Sequence, residues 1–159
     1  PGYAEAWCNK GVALRDLGKS EEAIVALDNS IKLNPSHVVP WLVLNRLLIR
    51  LKRKDEVVAN FKKYCENSER LKTTMDAAIT LSVDMVAADF VREAINILTE
   101  SPAAPLFEPL VAGLRIYNGE EITVPVEVRE IAQVVVERIK EKRAEQSMGK
   151  DGSTPAASL

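Results

Sequence analysis

The chain has 159 residues, with 21 basic residues against 23 acidic ones and a formal net charge of −2 at pH 7. This length corresponds to one domain with a continuous core, and the slightly acidic balance disfavours nucleic acid as a partner. Aromatic residues make up only 5% of the chain and glycines number seven, a composition that favours helices over a β-sandwich or barrel. No apolar run approaches the roughly 18 residues of a membrane helix, so we expect no membrane association. Two cysteines, Cys8 and Cys65, favour reduced thiols in a cytoplasmic protein.

The first 35 residues predict two antiparallel helices. Trp7, Gly11 and Leu14 recur at steps of three and four residues, which is the period of one helical face. Gly18 predicts a left-handed end to the first helix, and Ser20 predicts the start of the second. The predicted inner face of the second helix consists of Ala23, Leu27 and Ile31. Because a glycine in mid-helix loses about 1 kcal/mol of helix propensity, Gly11 indicates a helix crossing too close for a Cβ atom.

The pattern recurs after 34 residues, since Pro1 and Trp7 align with Pro35 and Trp41. At this period the chain resembles the tetratricopeptide-repeat family. The resemblance is specific for residues 4–37 and looser for residues 38–71, where Asn45 replaces the small glycine and predicts wider or shifted packing. It implies an all-α solenoid of αα-hairpins, forming a right-handed superhelix. Pro1 takes the place of a preceding repeat's last proline, so we expect the chain to be part of a longer repeat array.

Residues 75–108 are interpreted as a degenerate third repeat. Its predicted signature positions are occupied by Ala78, Leu81, Ser82 and Met85. Ala94 follows Ala23 by 71 residues, two periods plus three, which predicts an insertion near Ser68–Thr74. The predicted domain covers residues 1–146, and residues 147–159 are rich in small residues and are expected to be flexible.

Residues 107–146 predict a capping hairpin without signature residues. Its first helix is predicted to begin near Phe107 and to stop at Asn118-Gly119, and the second to run from Pro125 to Gln146. The predicted buried stripe of the second helix consists of Val128, Ile131, Val135 and Ile139. An atypical unit is expected at the end of a solenoid, where one face meets water. The alternative is packing on a second protomer through the remaining valines, Val124, Val126, Val134 and Val136.

Charge divides the chain into a basic and an acidic part. Residues 38–72 hold nine Lys or Arg against four acids, whereas residues 73–125 hold two basic residues against eight acids. Many such runs of charge are simply solvated surface. Alternatively, the basic repeat binds an acidic peptide, and the acidic residues of 73–125 repel other ligands.

The resemblance implies a peptide-binding groove lined by the first helix of each repeat. The groove positions it implies in the first two repeats are Glu5, Cys8, Val12, Arg15, Val39, Leu42, Arg46, Ile49 and Arg50. Asp76, Ile79 and Val83 are the corresponding positions in the third. Apolar positions flanked by Arg46 and Arg50 suit a helix or extended peptide with hydrophobic anchors and an acid. The family's clamp for chaperone carboxylate tails needs Lys and Asn where Cys8 and Val12 stand, and Asn where Val43 stands, so we exclude that ligand.

No catalytic or cofactor site is expected. His37, the one histidine, follows Pro35-Ser36 and is expected to be a solvent-exposed turn residue. No His/Cys set has zinc spacing and no glycine-rich phosphate loop occurs, so we expect neither a metal nor a cofactor. The expected function is to bind a partner protein or peptide. The alternatives are a structural role through homodimerisation, or regulation of an attached catalytic domain such as an NTPase or kinase.

Overall fold

The computed structural model describes residues 2–67 and 75–148, and these ranges contain eight α-helices and no strand. The helices are α1 (Gly2–Asp16), α2 (Ser20–Leu33), α3 (Val38–Arg50), α4 (Lys54–Glu66), α5 (Met75–Ala87), α6 (Val91–Glu100), α7 (Ala104–Tyr117) and α8 (Val126–Met148). Consecutive helices pack in pairs, and α1, α3 and α5 stand side by side. The prediction of an all-α solenoid of αα-hairpins is therefore confirmed. The predicted insertion at Ser68–Thr74 and the tail beyond Met148 lie outside the described residues.

The four helix pairs share one turn geometry. The backbone is left-handed just after α1, α3, α5 and α7, at Gly18 (φ 75°), Lys52 (φ 58°), Asp89 (φ 67°) and Gly119 (φ 83°). In the first turn the N–H of Gly18 donates to the carbonyl of Arg15, and the N–H of Lys19 donates to that of Leu14. The same two hydrogen bonds recur in the other three turns, which makes each a Schellman cap. Glycine predicts this turn in the first and last pairs, whereas Lys52 and Asp89 adopt it against their steric preference.

The first pair packs as closely as Gly11 predicts. A Cβ atom at Gly11 would lie 2.7 Å from Cγ of Leu27, closer than two carbon atoms can approach. Ala23 and Leu27 are fully buried, and Ser30 Oγ donates a buried hydrogen bond of 2.7 Å to the carbonyl of Ala4. The chain thus places α1 and α2 in contact through a glycine on one helix and aliphatic side chains on the other.

The second pair replaces that glycine contact with two buried amides. Asn45 is completely buried, and Nδ2 of Asn60 donates to Oδ1 of Asn45 and to the carbonyl of Trp41, each at 3.4 Å. The Trp41 ring packs edge-on against Tyr64, with 5.7 Å between the ring centroids. A contact between two side-chain amides therefore lies in the α3–α4 interface where the α1–α2 interface has the contact of Gly11 with Leu27.

The last pair closes the row differently from the sequence prediction. α7 begins at Ala104, three residues before Phe107, because Pro105 is accepted in the first helical turn. A Cβ atom at Gly113 would lie 2.7 Å from Cβ of Val135, so this pair also packs through a glycine. The buried stripe of α8 consists of Ala132, Val135 and Ile139. Ile131, predicted to be in that stripe, is exposed, because α7 contacts the helix along an adjacent line.

α8 contacts α5 as well as α7. Arg143 carries one of these contacts, since its Nη2 donates to the carbonyl of Val86 at 3.1 Å and to Oδ1 of Asp89 at 2.6 Å. The long last helix therefore lies next to α5 and continues the row of first helices, α1, α3 and α5. One cluster of buried side chains extends through this row, from Cys8 in α1 to Ile139 in α8.

Candidate functional site

The candidate groove residues occupy equivalent positions on α1 and α3. Glu5, Cys8, Val12 and Arg15 are each followed 34 residues later by Val39, Leu42, Arg46 and Ile49. Because α1 and α3 pack side by side, the structure brings these two stripes together. The exposed members are Glu5, Val39, Arg46 and Arg50, and the half-buried members are Val12, Arg15, Leu42 and Ile49. We call these eight residues the α1–α3 face.

Cys8 is the one candidate of the first two repeats that does not reach the surface. Its side chain is 2% exposed, and burial raises the pKa of its thiol. Cys65 is buried in α4, and burial raises the pKa of its thiol to about 12. Neither cysteine is in a disulfide, and thiols of raised pKa are poor nucleophiles because the thiolate is the reactive form. Cys8 therefore contributes to the core and not to a contact with a ligand.

The third repeat does not continue this exposed surface. Ile79 and Val83 are buried, and the side chain of Asp76 lies outside the described residues. Val83 lies next to residues of α8, which packs on α5 at this point. The structure therefore ends the open surface at α3, and the expected contribution of Ile79 and Val83 to a groove is wrong.

Arg46 is held by a buried acid that the sequence prediction did not include. Nε of Arg46 donates to Oδ2 of Asp84 at 2.7 Å, while the Asp84 side chain is 6% exposed and that of Arg46 is 55% exposed. A buried carboxylate without a cationic partner would be strongly destabilising, so Asp84 requires Arg46. The pair joins α3 to α5 and fixes the direction of the guanidinium, which would otherwise be free to rotate.

Beside this ion pair lies a small notch where α3, α5 and α8 meet. Its volume is about 200 Å³. Its lining, which we call the α8 notch, consists of Arg46, Thr80, Val83, Asp84, Arg138, Glu141, Lys142 and Glu145. Three basic and three acidic side chains share this surface, so it is polar without a strong net charge. No periodic pattern in the sequence indicates that α8 returns to α5, so the α8 residues of this notch were not among the predicted site residues.

A second cleft lies between α2 and α4. Its volume is about 280 Å³, and its floor is formed by buried side chains of α3. The floor residues are Trp41, Leu44 and Leu48. Asp28 of α2 enters this α2–α4 cleft, where burial raises the pKa of its carboxyl group while the nearby Lys63 and Lys32 lower it. This cleft therefore combines an apolar floor with the partly buried carboxyl group of Asp28.

His37 occupies a different environment from the one predicted. It precedes α3 as the N-cap residue and is half-buried, and its Nδ1 atom is buried with no hydrogen-bond partner in the described ranges. The expectation of a solvent-exposed histidine is therefore wrong, because the imidazole packs at the start of α3.

Across residues 2–67 and 75–148 no group of three or more His, Cys, Asp or Glu side chains is placed to hold a metal ion. Nor does any helix in these ranges have the length and apolar character to cross a membrane.

Comparison with known families supports the interpretation of the first pair. Residues 4–37 match the model of the tetratricopeptide repeat. This segment, α1 and α2 with the turn that follows, is a tetratricopeptide repeat, and repeats of this kind are interaction modules in general. Comparisons with curated proteins and with solved structures find no match.

Proposed function

We propose that the chain is a non-catalytic module that binds a peptide or protein segment on the α1–α3 face. The observation that carries this proposal is the combination of Arg46 and Arg50, both exposed, with the apolar side chains of Val39, Leu42 and Ile49 on the same helix. Apolar anchors with flanking cations fit a segment that carries both aliphatic and acidic side chains. Cys8 and Cys65 form no disulfide, which is compatible with the cytoplasmic location that we propose.

The Arg46–Asp84 pair gives this surface a defined cationic point. The hydrogen bond to Asp84 is made by Nε of Arg46, and the side chain is 55% exposed, so a terminal nitrogen is available to donate to an incoming carboxylate. Because the guanidinium is already oriented by Asp84, less side-chain entropy is lost when the acid binds. An acidic residue of the partner would thus share Arg46 with Asp84.

Selection from a displayed random-peptide library tests the proposal. We expect enriched peptides to combine aliphatic residues with at least one acid, and the Arg50→Glu variant to bind them about tenfold more weakly. Arg46→Gln combined with Asp84→Asn removes the second cation without leaving a buried charge unpaired. Lys62→Glu on α4 is the control, since it changes an exposed cation away from this face. Selected peptides without acids, or equal binding by all variants, would contradict the proposal.

Homodimerisation through α8 is a second candidate. Val126 and Val134 are exposed on α8, as the alternative of a second protomer requires. Light scattering at increasing concentration separates the two functions. A mass that doubles, and that returns to one chain in the Val134→Lys variant, would favour dimerisation. A constant single-chain mass would remove this candidate.

We further propose that the repeats belong to a longer array. The supporting observation is that apolar side chains remain uncovered on the first repeat, including Val25, which is 59% exposed.

A further inference from the structure

The helices α2 and α4 stand apart above α3, whereas α4 packs directly on α6. Among the described residues α2 and α4 have no contact of that extent. Arg53 ties their first turns together, because its Nη1 donates to both carboxylate oxygens of Glu21 at 2.8 and 2.9 Å and its Nη2 donates to Glu56 at 2.8 Å. Elsewhere the two helices leave the α2–α4 cleft between them. The cleft therefore belongs to this pair of repeats and not to the backbone plan that all four pairs share.

The floor of the α2–α4 cleft and part of its wall are apolar. The floor residues, Trp41, Leu44 and Leu48, are at most 4% exposed. Ile24 and Ile31 of α2 lie beside them in the lining. The volume of about 280 Å³ is close to the lower end of the range of about 300–1,000 Å³ that is typical of small-molecule sites. A small molecule with one aliphatic or aromatic group fits this space.

Two oxygen acceptors in the lining lack a donor. Asp28 is half-buried, and no hydrogen bond or close ion pair to its carboxylate is present in the described part of the chain. Asn60 is 5% exposed; its Nδ2 donates to the carbonyl of Trp41 and to Asn45, but no described residue donates to its Oδ1. Acceptors removed from water are stabilised by a ligand that supplies donors. An ammonium group has three N–H donors, enough for both.

The other charged residues of the lining are Glu56, Lys32 and Lys63. Glu56 is already paired with Arg53. The two lysines are exposed, form no ion pair with a described residue and act electrostatically on Asp28. They would repel a ligand that carried only an ammonium group, whereas a carboxylate on the same molecule would accept hydrogen bonds from them. A zwitterion therefore matches the unpaired charges of both signs.

We propose that the α2–α4 cleft binds a free α-amino acid with a large apolar side chain. That side chain would lie on the apolar floor. The ammonium group would donate to Asp28 and to Oδ1 of Asn60, and the carboxylate would accept from the two lysines. The cleft shares no residue with the α1–α3 face, so this site is additional to the proposed peptide binding and does not depend on it.

NMR titration of the full isotope-labelled chain with L-leucine, L-methionine and L-phenylalanine tests the proposal. Of the two tryptophans only Trp41 lines the cleft, so its indole N–H signal reports on the site and that of Trp7 is an internal control. We expect at least one of the three amino acids to shift the Trp41 signal in a saturable way, with a Kd of about 1 mM or lower, and to leave the Trp7 signal in place. No saturable shift of Trp41 up to about 10 mM of any of them would overturn the proposal.

Derivatives of the amino acid that binds best separate the contributions of its two charges. The N-acetyl derivative lacks the ammonium group, and the corresponding amine lacks the carboxylate. We expect each to bind at least about tenfold more weakly than the parent amino acid, because each leaves one set of charges in the cleft unpaired. Equal binding of either derivative would show that the ligand class is wrong.

Variants of the lining locate the binding. We expect Asp28→Asn, and Lys32→Gln combined with Lys63→Gln, each to weaken binding about tenfold. Asp55→Asn is the matched control, since Asp55 is an exposed acid of α4 outside the lining, and its affinity should stay unchanged. Full affinity in the Asp28→Asn variant, or an equal loss in Asp55→Asn, would refute the assignment of the ligand to the α2–α4 cleft.

Discussion

The first and last helix pairs have the same packing device and different sequence signals for it. In α1–α2 a glycine faces Leu27 and Ala23, and in α7–α8 a glycine faces Val135 and Ala132. The first pair lies within a recognisable repeat, whereas the last has a longer turn and no matching pattern. The comparison shows that the close approach of two helices is retained where the rest of the repeat signature is lost.

The strongest test of this comparison is alanine at each packing glycine. At Gly113 a new Cβ would lie 2.8 Å from the carbonyl oxygen of Ala132, a backbone atom that cannot move alone. At Gly11 the two atoms closer than 3.0 Å are Cγ and Cδ2 of the fully buried Leu27, which can shift by a side-chain torsion but only against its core neighbours. Each alanine also gains about 1 kcal/mol of helix propensity. With that gain included, we expect Gly113→Ala to lower the free energy of unfolding by about 2–3 kcal/mol and Gly11→Ala by about 1–2 kcal/mol.

Urea denaturation of both variants measures these losses. Ala13→Gly, at an exposed position of α1 close to Gly11, is the control for helix propensity alone. Equal losses at the two glycines would show that the close packing is equivalent in the two pairs and that the rigidity of the opposing atom does not matter.

The turns provide the next largest effect. Gly18 and Gly119 have positive φ angles with open space around them, so alanine there is strained only by the backbone. We expect Gly18→Ala and Gly119→Ala each to lose about 1 kcal/mol, and Lys52→Gly to gain about 1 kcal/mol. Thermal unfolding of the three variants measures this. A destabilised Lys52→Gly variant would contradict the view that a common left-handed turn ends the first helix of each pair.

A smaller effect is expected where the last pair is attached to the third. Arg143 contacts Asp89 and the Val86 carbonyl, and its guanidinium lies 5.6 Å from the centre of the Tyr117 ring. Because the ion pair is largely solvent-exposed, we expect Arg143→Met to lose about 1 kcal/mol or less. High salt should reduce that loss, and a variant with undiminished loss in salt would indicate packing instead of charge.

The smallest expected effects concern pH. Burial raises the pKa of Asp28, so its protonated form is favoured in the folded chain, and stability falls as pH rises from about 3.8 through the raised value. Asp28→Asn should therefore stabilise the chain at neutral pH and not at acid pH.

The hydrogen bond from Lys54 lowers the pKa of Glu93. The stabilising contribution of the Glu93 carboxylate is therefore present above about pH 4.5 and is lost as the pH falls through the lowered value. Glu93→Gln should thus destabilise only near neutral pH.

Unfolding midpoints at acid and neutral pH check both signs. Asp28 lies in the first pair and Glu93 in the third, so opposite pH responses would show that the repeats differ in electrostatics although they share a backbone plan. A pH response of the same sign in both variants would refute the assignment of burial to Asp28 and of the Lys54 contact to Glu93.

Local pattern alone determined much of the architecture. The 34-residue period predicts the first two pairs, and Gly11 and Gly18 predict the close crossing and the turn, because periodicity and backbone preference act within a few residues. The α1–α3 stripes follow from the same period. Their use as a binding surface stays a prediction.

Only the tertiary structure decided how distant segments meet. Asp84 lies 38 residues from Arg46 in the sequence, and no local pattern predicts that these two residues form an ion pair between α3 and α5. The return of α8 to α5, which buries Val83 and ends the open surface, depends on the summed packing of α5, α7 and α8. Such contacts arise because each helix must cover apolar area left by its neighbours, a condition set by the whole row and not by any one segment.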